Sequence, residues 1–183
     1  MCQDIKEIII SRREIEEMVD ELAAQINADF KNQEIILVGL LKGSVVFMSD
    51  ILRKITVPCE IDFMAASSYG SGMVSSGNVK ISKDLSVDIK DKNVIIVEDI
   101  VDTGNTLSRV LELLKMRQPK ELRLCSLLSK PARREADDIK IDYLGTEVPD
   151  EFVVGYGLDF DERYRNLPYI GILKEAVYLD VEF

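Results

Sequence analysis

The chain contains no histidine. That absence removes Ser-His-Asp and Cys-His catalysis, histidine-ligated zinc and imidazole pH switching. Acid–base chemistry is left to Asp, Glu, Lys, Tyr or Cys. Basic charge is also scarce: 23 Lys and Arg stand against 33 Asp and Glu, a formal net charge of −10. A chain this acidic is a poor general binder of nucleic acid or of anionic membranes, because phosphate backbones reward excess Lys and Arg. Only a local basic site is compatible with it. The three cysteines, Cys2, Cys59 and Cys125, are an odd number without metal-type spacing, and read as reduced thiols in a reducing compartment. No apolar run approaches the ~18–20 residues of a membrane span. The opening residues Met1 to Asp4 lack a basic region followed by an apolar one, so no signal peptide is expected. The expected setting is the cytoplasm, with no nucleic-acid and no membrane partner.

What is present fits one domain. The 183 residues are 46% apolar and 31% charged, enough for one substantial core and ordinary for a globular protein. Ser11 and Glu14 have the spacing of a capping box. Behind them Ile15, Met18, Val19, Leu22 and Ile26 recur at three- and four-residue steps, predicting a helix from about Ser11 to Asp29. Glu34 to Leu40 is a short continuous apolar run, the pattern of a strand buried on both faces. After Lys42-Gly43, Ser44 is placed to cap a helix over Val45 to Ile55. Strands are expected at Cys59 to Ala66, Val79 to Ser82, Asn93 to Asp99, Leu122 to Leu128, Ile139 to Gly145 and Phe152 to Val154. A second amphipathic helix is expected over Asn105 to Met116, with Leu107, Val110, Leu111 and Leu114 inward. Strands alternating with helices indicate an α/β domain with a mainly parallel central sheet flanked by helices. In such sheets ligands sit beyond the carboxyl ends of the strands. Residues 67–78 hold eight Ser or Gly in twelve positions, which reads as a flexible loop. A lid and an idle surface loop both fit that composition.

The most informative segment runs from Val94 to Leu107. An apolar strand ends in the adjacent carboxylates Glu98 and Asp99. Asp102 follows, and Thr103-Gly104-Asn105-Thr106 turns into the helix. Backbone N–H groups at a helix N-terminus attract phosphate, glycine permits close approach, and threonine hydroxyls add donors. The carboxylates repel phosphate but accept hydrogen bonds from a diol or hold a magnesium shell. Phosphate at one end and vicinal hydroxyls nearby describe ribose 5-phosphate. A plain acidic helix cap uses the same Asp and Thr, yet has no need of two carboxylates ending a buried strand, where they repel. No Gly-x-x-x-x-Gly-Lys-Ser/Thr loop occurs, and no Gly-x-Gly-x-x-Gly follows a strand.

This segment resembles the 5-phosphoribosyl 1-diphosphate (PRPP) motif of the type I phosphoribosyltransferases. The resemblance extends along the chain. Leu41-Lys42-Gly43, Ser67-Ser68-Tyr69-Gly70, Leu128-Ser129-Lys130-Pro131, the run Phe152 to Asp159 and Tyr164-Arg165-Asn166-Leu167-Pro168 are similar, in order, to motifs of the 6-oxopurine branch. Tyr164 to Lys174 resembles its bacterial members. So does Ala65-Ala66-Ser67, where eukaryotic relatives carry basic residues. That departure leaves diphosphate contacts at this point open.

The resemblance implies the type I phosphoribosyltransferase fold over residues 1–183. Its core would span about 30–145, with a small hood from the terminal segments and a lid at about 67–78. It implies transfer of the ribose of PRPP to hypoxanthine or guanine, with Mg2+, in a homo-oligomer (dimer or tetramer). Glu98 and Asp99 would hold the ribose hydroxyls, directly or through the metal, and Asp159 would add a metal-side carboxylate. Asp102, Thr103, Gly104, Asn105 and Thr106 would wrap the 5′-phosphate, and Asp102 would also be the general base at purine N7. Lys42, Gly43, Ser68, Tyr69 and Arg165 would meet the diphosphate. Lys130 would donate to the 6-oxo group, Phe152 would stack on the ring, and Val153 and Asp159 would contact it through backbone atoms. The peptide before Lys42 is often cis in this family.

Apart from those motifs, Phe152 reads as a core aromatic and Lys130 and Arg165 as solvated charges. Two competing functions stay open on the sequence. One is a phosphoribosyltransferase for xanthine or adenine; an ammonium at Lys130 donates, which favours a 6-oxo over a 6-amino group. The other is a PRPP-sensing RNA-binding regulator on the same fold, against which the net charge argues.

Overall fold

A computed structural model of the chain describes residues 3–68 and 79–179. Its main layer is a six-stranded sheet in the order β4-β3-β2-β5-β6-β7. These strands are β2 (Ile35–Leu40), β3 (Cys59–Ser68), β4 (Val79–Lys83), β5 (Asn93–Val101), β6 (Glu121–Ser129) and β7 (Tyr143–Glu147). All neighbours pair parallel except the edge strand β4, which pairs antiparallel with β3. Every residue of β2 is buried, as its unbroken apolar run requires of a strand covered on both sides.

The covering follows the period of two. Ile35 and Leu37 of β2 and Ile95 and Val97 of β5 face α1 (Arg12–Asp29) and α2 (Val45–Leu52), and share a core with Ile15, Leu22, Phe47 and Ile51. Ile36, Val38, Val94 and Ile96 face α3 (Asn105–Lys115) and pack with Leu107, Val110 and Leu114. The capping box of α1 is formed: Glu14 N–H donates to Ser11 Oγ at 3.3 Å, and Ser11 N–H donates to Glu14 Oε2 at 2.7 Å.

A second, three-stranded antiparallel sheet joins the chain ends in the order β1-β9-β8, from β1 (Ile5–Ile10), β9 (Ile170–Leu173) and β8 (Val153–Val154). A short helix α4 (Glu175–Leu179) follows it. Ile5, Val154 and Leu173 form its small core, with Phe152, Phe160 and Tyr178 against them.

Several expectations are corrected. Ser44 does not cap α2: it is fully buried and its hydroxyl donates to Leu40 O at 2.5 Å, so it ties the β2–α2 turn together instead. Helix α2 stops at Leu52, and the strand expected over Ile139 to Gly145 runs Tyr143–Glu147. Strand β5 continues past Asp99 to Val101, because Ile100 and Val101 still pair with Leu128 and Ser129 of β6. Strands β1 and β9 were not expected at all.

The chain leaves β2 for β3 on one side and β5 for β6 on the other. The sheet's order therefore reverses between β2 and β5, and the crevice outside their carboxyl ends is where such sheets take ligands.

Candidate active site

Two turns meet at that crevice. The turn after β2 carries Lys42 and Gly43, and the peptide Leu41–Lys42 is cis. A Cβ on Gly43 would collide with the Asp99 carboxylate, so only glycine lets this turn lie against the acidic strand end. Gly157, at φ +103°, is pressed in the same way against the Gly43 carbonyl. The chain from 157 to 165 is thereby packed onto the β2 turn.

Glu98 and Asp99 are neighbours near the carboxyl end of β5, where the alternation of faces breaks: Ile100 packs in the same core as Val97, and Val101 in the same core as Ile96. Both are half-buried. Burial, reinforced by repulsion from Asp99, lifts Glu98 well above the usual carboxylate range. Burial likewise pushes Asp99 up to about 6; Arg165 counteracts this and Asp159 adds to it. Asp159 in turn is paired with Arg165 at 2.9 Å. Asp99, Asp159 and Arg165 thus share one electrostatic neighbourhood, reached from β5 and from the loop after β8.

Arg165 also donates to Gly157 O at 2.8 Å and to Glu162 Oε2 at 3.2 Å, and Lys42 Nζ donates to Glu162 Oε1 at 2.9 Å. So Lys42, Gly43, Asp159 and Arg165, far apart in sequence, lie together.

A second group surrounds Asp102. Thr103 and Asp102 are half-buried, Gly104 is buried at φ +83°, and α3 starts at Asn105. Thr103 Oγ1 accepts the Asn105 N–H at 3.5 Å, and Thr106 lies in the first turn of α3. Asp102 Oδ1 is buried without a hydrogen-bond partner and faces the Arg133 guanidinium at 3.4 Å. Lys130, only 5% exposed, directly follows β6 in the same region. It is no solvated surface charge. Burial lowers its ammonium below the usual lysine range, and the nearby Asp102 opposes that shift.

Phe152 is half-buried and its ring stacks on Tyr178, 5.2 Å between centroids, with the Phe160 edge against it at 5.5 Å. Val153 is buried beside it in β8. Tyr69 lies outside the described residues, as does the loop 69–78; Ser68 closes β3, and its side chain is likewise undescribed.

Sequence reasoning missed the residues that hold these groups in place. Arg134 donates to Asp102 O at 3.1 Å, to Val101 O at 3.2 Å and to Ser129 Oγ at 2.9 Å, binding the acidic loop to the end of β6. Asn105 Nδ2 donates to Glu135 at 2.6 Å on the same seam. Two arginines directly after Lys130-Pro131-Ala132 were the available signal, as cations near an acidic loop. Glu162 was legible only as a carboxylate three residues before Arg165.

Among the described residues no three His, Cys, Asp or Glu side chains are close enough to cage a metal ion. Two carboxylates held above their usual range are nonetheless a setting that a divalent cation relieves, with substrate oxygens and water filling its remaining positions. A separate cavity of about 570 Å³ is lined by Arg12, Asp50, Arg53, Tyr156 and Arg165; it touches the crevice through Arg165 alone of the residues expected at the site.

Residues 7–161 match the family profile described as "Phosphoribosyl transferase domain". The chain is 54% identical to the hypoxanthine phosphoribosyltransferase of Salmonella typhimurium, across 95% of this chain and 97% of that one. It is 49% identical to the hypoxanthine-guanine phosphoribosyltransferase of Bacillus subtilis, across 97% and 98%. The crystal structure of a hypoxanthine phosphoribosyltransferase from Staphylococcus aureus superposes with a TM-score of 0.92 at 49% identity, covering 96% of this chain and 95% of that one.

Proposed function

The chain belongs to the phosphoribosyltransferase family, among its hypoxanthine phosphoribosyltransferases, and from that premise we propose that it joins hypoxanthine or guanine to the ribose of PRPP, giving IMP or GMP and diphosphate. The observation that carries the choice of base is that the buried Lys130 ammonium lies within electrostatic reach of the Asp102 carboxylate. A buried ammonium donor stands near a buried carboxylate oxygen that has no hydrogen-bond partner and only the Arg133 guanidinium, at 3.4 Å, as a counter-charge. A 6-oxopurine offers the complement, an acceptor at O6 and a proton at N7.

In this reading Asp102 takes the N7 proton as the bond to the anomeric carbon forms, and Lys130 holds the 6-oxo group. Phe152, backed by Tyr178, offers its other face to the ring, with Val153 and Asp159 at the ring edge. Thr103 to Thr106 receive the 5′-phosphate on the N-terminus of α3, where backbone N–H groups and the helix dipole favour an anion. Glu98 and Asp99 accept from the ribose hydroxyls. Lys42, Gly43 and Arg165 meet the leaving diphosphate, and Ser68 and Tyr69 belong to a lid over it. Glu98, Asp99 and Asp159 would hold Mg2+, which when bound neutralises charge on the departing oxygens. The carboxylates also stabilise cationic character at the anomeric carbon as diphosphate leaves.

We further assign one domain to residues 1–183, with a core over about 30–145, a hood from the terminal segments and a lid at about 67–78. A cytoplasmic homo-oligomer completes the proposal; no helix among the described residues is long and apolar enough to cross a membrane. The test is a panel of hypoxanthine, guanine, xanthine and adenine with PRPP and Mg2+, monitored for nucleotide. Nucleotide from hypoxanthine and guanine is expected; turnover of adenine or xanthine alone would refute the assignment.

A further inference from the structure

The crevice already contains an anion placed on the two cations assigned to diphosphate. Glu162 spans them: Oε1 accepts from Lys42 Nζ at 2.9 Å and Oε2 from Arg165 Nη2 at 3.2 Å. The lysine comes from the β2 turn and the glutamate from the loop after β8, 120 positions later in the chain. Both cations hold the Glu162 carboxyl below its usual range, the Lys42 hydrogen bond first.

The loop directs that carboxylate. Phe160 and Arg163 exchange backbone hydrogen bonds at 3.2 and 3.0 Å, closing a tight turn. Its two central residues, Asp161 and Glu162, take φ of 50° and 60°, the left-handed region that non-glycine residues seldom adopt. The Glu162 N–H donates to Asp159 Oδ2 at 2.9 Å, fixing the turn to the same carboxylate that pairs with Arg165. An ordinary solvated glutamate has no need of this conformation.

Diphosphate and a carboxylate cannot both occupy the space between Lys42 and Arg165 without like-charge repulsion. We propose that Glu162 is a positioning residue for the diphosphate subsite. It holds Lys42 and Arg165 together as an internal stand-in for diphosphate, and surrenders them when diphosphate or PRPP binds. The proposal rests on the assignment of Lys42 and Arg165 to diphosphate made above. It adds a built-in competitor that keeps the two cations ordered in the empty site and favours release of the product. Because Glu162 and Lys42 are well exposed, 62% and 68% by side chain, the competition is modest in size.

The test is binding of inorganic diphosphate with Mg2+ to Glu162→Gln and Glu162→Ala, measured by calorimetry beside the wild-type protein. Both variants should bind diphosphate about 3–10-fold more tightly at low salt, the scale of exposed ion pairs, with the gain shrinking at high salt. The KM for PRPP should fall with it, while the KM for hypoxanthine stays put. A purely structural role would weaken both ligands together. Unchanged or weaker diphosphate binding in both variants overturns the proposal. Lys42→Met provides the separating arm. It should weaken diphosphate binding, and adding Glu162→Gln to it should give little further tightening. Wild-type affinity in Lys42→Met would instead refute the diphosphate assignment itself. Equal tightening with and without Lys42 would show a general charge effect and overturn the stand-in role.

Discussion

Asp62 and Asp99 sit in β3 and β5, the two strands that flank β2, and their surroundings are opposite. Asp62 is 7% exposed and ringed by donors: the N–H groups of Phe63, Ser86 and Val87 at 2.7, 2.5 and 3.1 Å, and Lys83 Nζ at 3.1 Å. Burial works against its charge, yet those donors together hold it below the usual carboxylate range. Asp99 receives its neighbour's N–H, from Ile100 at 2.9 Å, and burial pushes it up to about 6. Glu98 beside it is raised as well. A buried carboxylate that the fold surrounds with donors is complete as it stands. One that the fold leaves short of donors, at the carboxyl end of a strand beside a switch point, keeps acceptor capacity that the proposed function assigns to a ligand.

The largest effect is expected at Asp102, whose Oδ1 is buried without a hydrogen-bond partner. Asp102→Asn should retain PRPP binding while turnover falls by ~10²–10⁴, the usual worth of general base catalysis. Wild-type turnover would remove it from the mechanism.

Asp62→Ala should act on stability instead. Leaving the surrounding backbone N–H groups and Lys83 without their acceptor should cost about 2–4 kcal/mol of unfolding free energy. At temperatures where the variant is folded, kcat should stay within about threefold of wild type, since one unmade structural contact does not touch the transition state. A large loss of kcat in a stable Asp62→Ala protein would erase the distinction drawn between the two aspartates.

Lys130→Ala is the smaller catalytic test. A hydrogen bond from a charged donor to a buried acceptor predicts a ~10–100-fold loss of kcat/KM for hypoxanthine and guanine. PRPP affinity should hardly change, because the proposed function gives Lys130 to the base, while the 5′-phosphate falls to residues 102–106 and the diphosphate to the Lys42–Arg165 group. Loss of PRPP binding with base selectivity intact would place Lys130 at the wrong end of the site.

The central sheet was legible because its signals are local and redundant. The apolar run of β2, the capping box at Ser11 and Glu14 and the spacing of Leu107, Val110, Leu111 and Leu114 each follow from one short window. The acidic segment was legible as chemistry for the same reason: a strand, two carboxylates and a helix start are adjacent. The terminal sheet was not. Strand β1 acquires its partner β9 only across almost the whole chain, pairing Ile5 with Leu173, and no window around Ile5 to Ile10 reveals that. The supports of the site are non-local too. Arg134 reaches Asp102 across 32 positions and Glu162 reaches Lys42 across 120. Ser44 was misread for a related reason: its sequence suits a helix cap, but the tight turn after β2 offers its hydroxyl the Leu40 carbonyl first.

In the proposed function, Glu98 and Asp99 are kept at a cost to the fold because substrate needs them. Stability of Asp99→Asn against wild type, measured by urea unfolding in the presence of a chelator, tests it most directly. The folded-state value of Asp99, about 6, lies above its ordinary 3.8. The destabilisation from its charge is therefore absent below about pH 4, grows as pH rises, and is complete above the folded value. Asp99→Asn should be more stable than wild type by about 1–3 kcal/mol at pH 8, with the advantage gone near pH 4, while nucleotide formation falls sharply. A variant that is less stable than wild type at pH 8 would contradict the claim, since Asp99 would then be a structural carboxylate like Asp62.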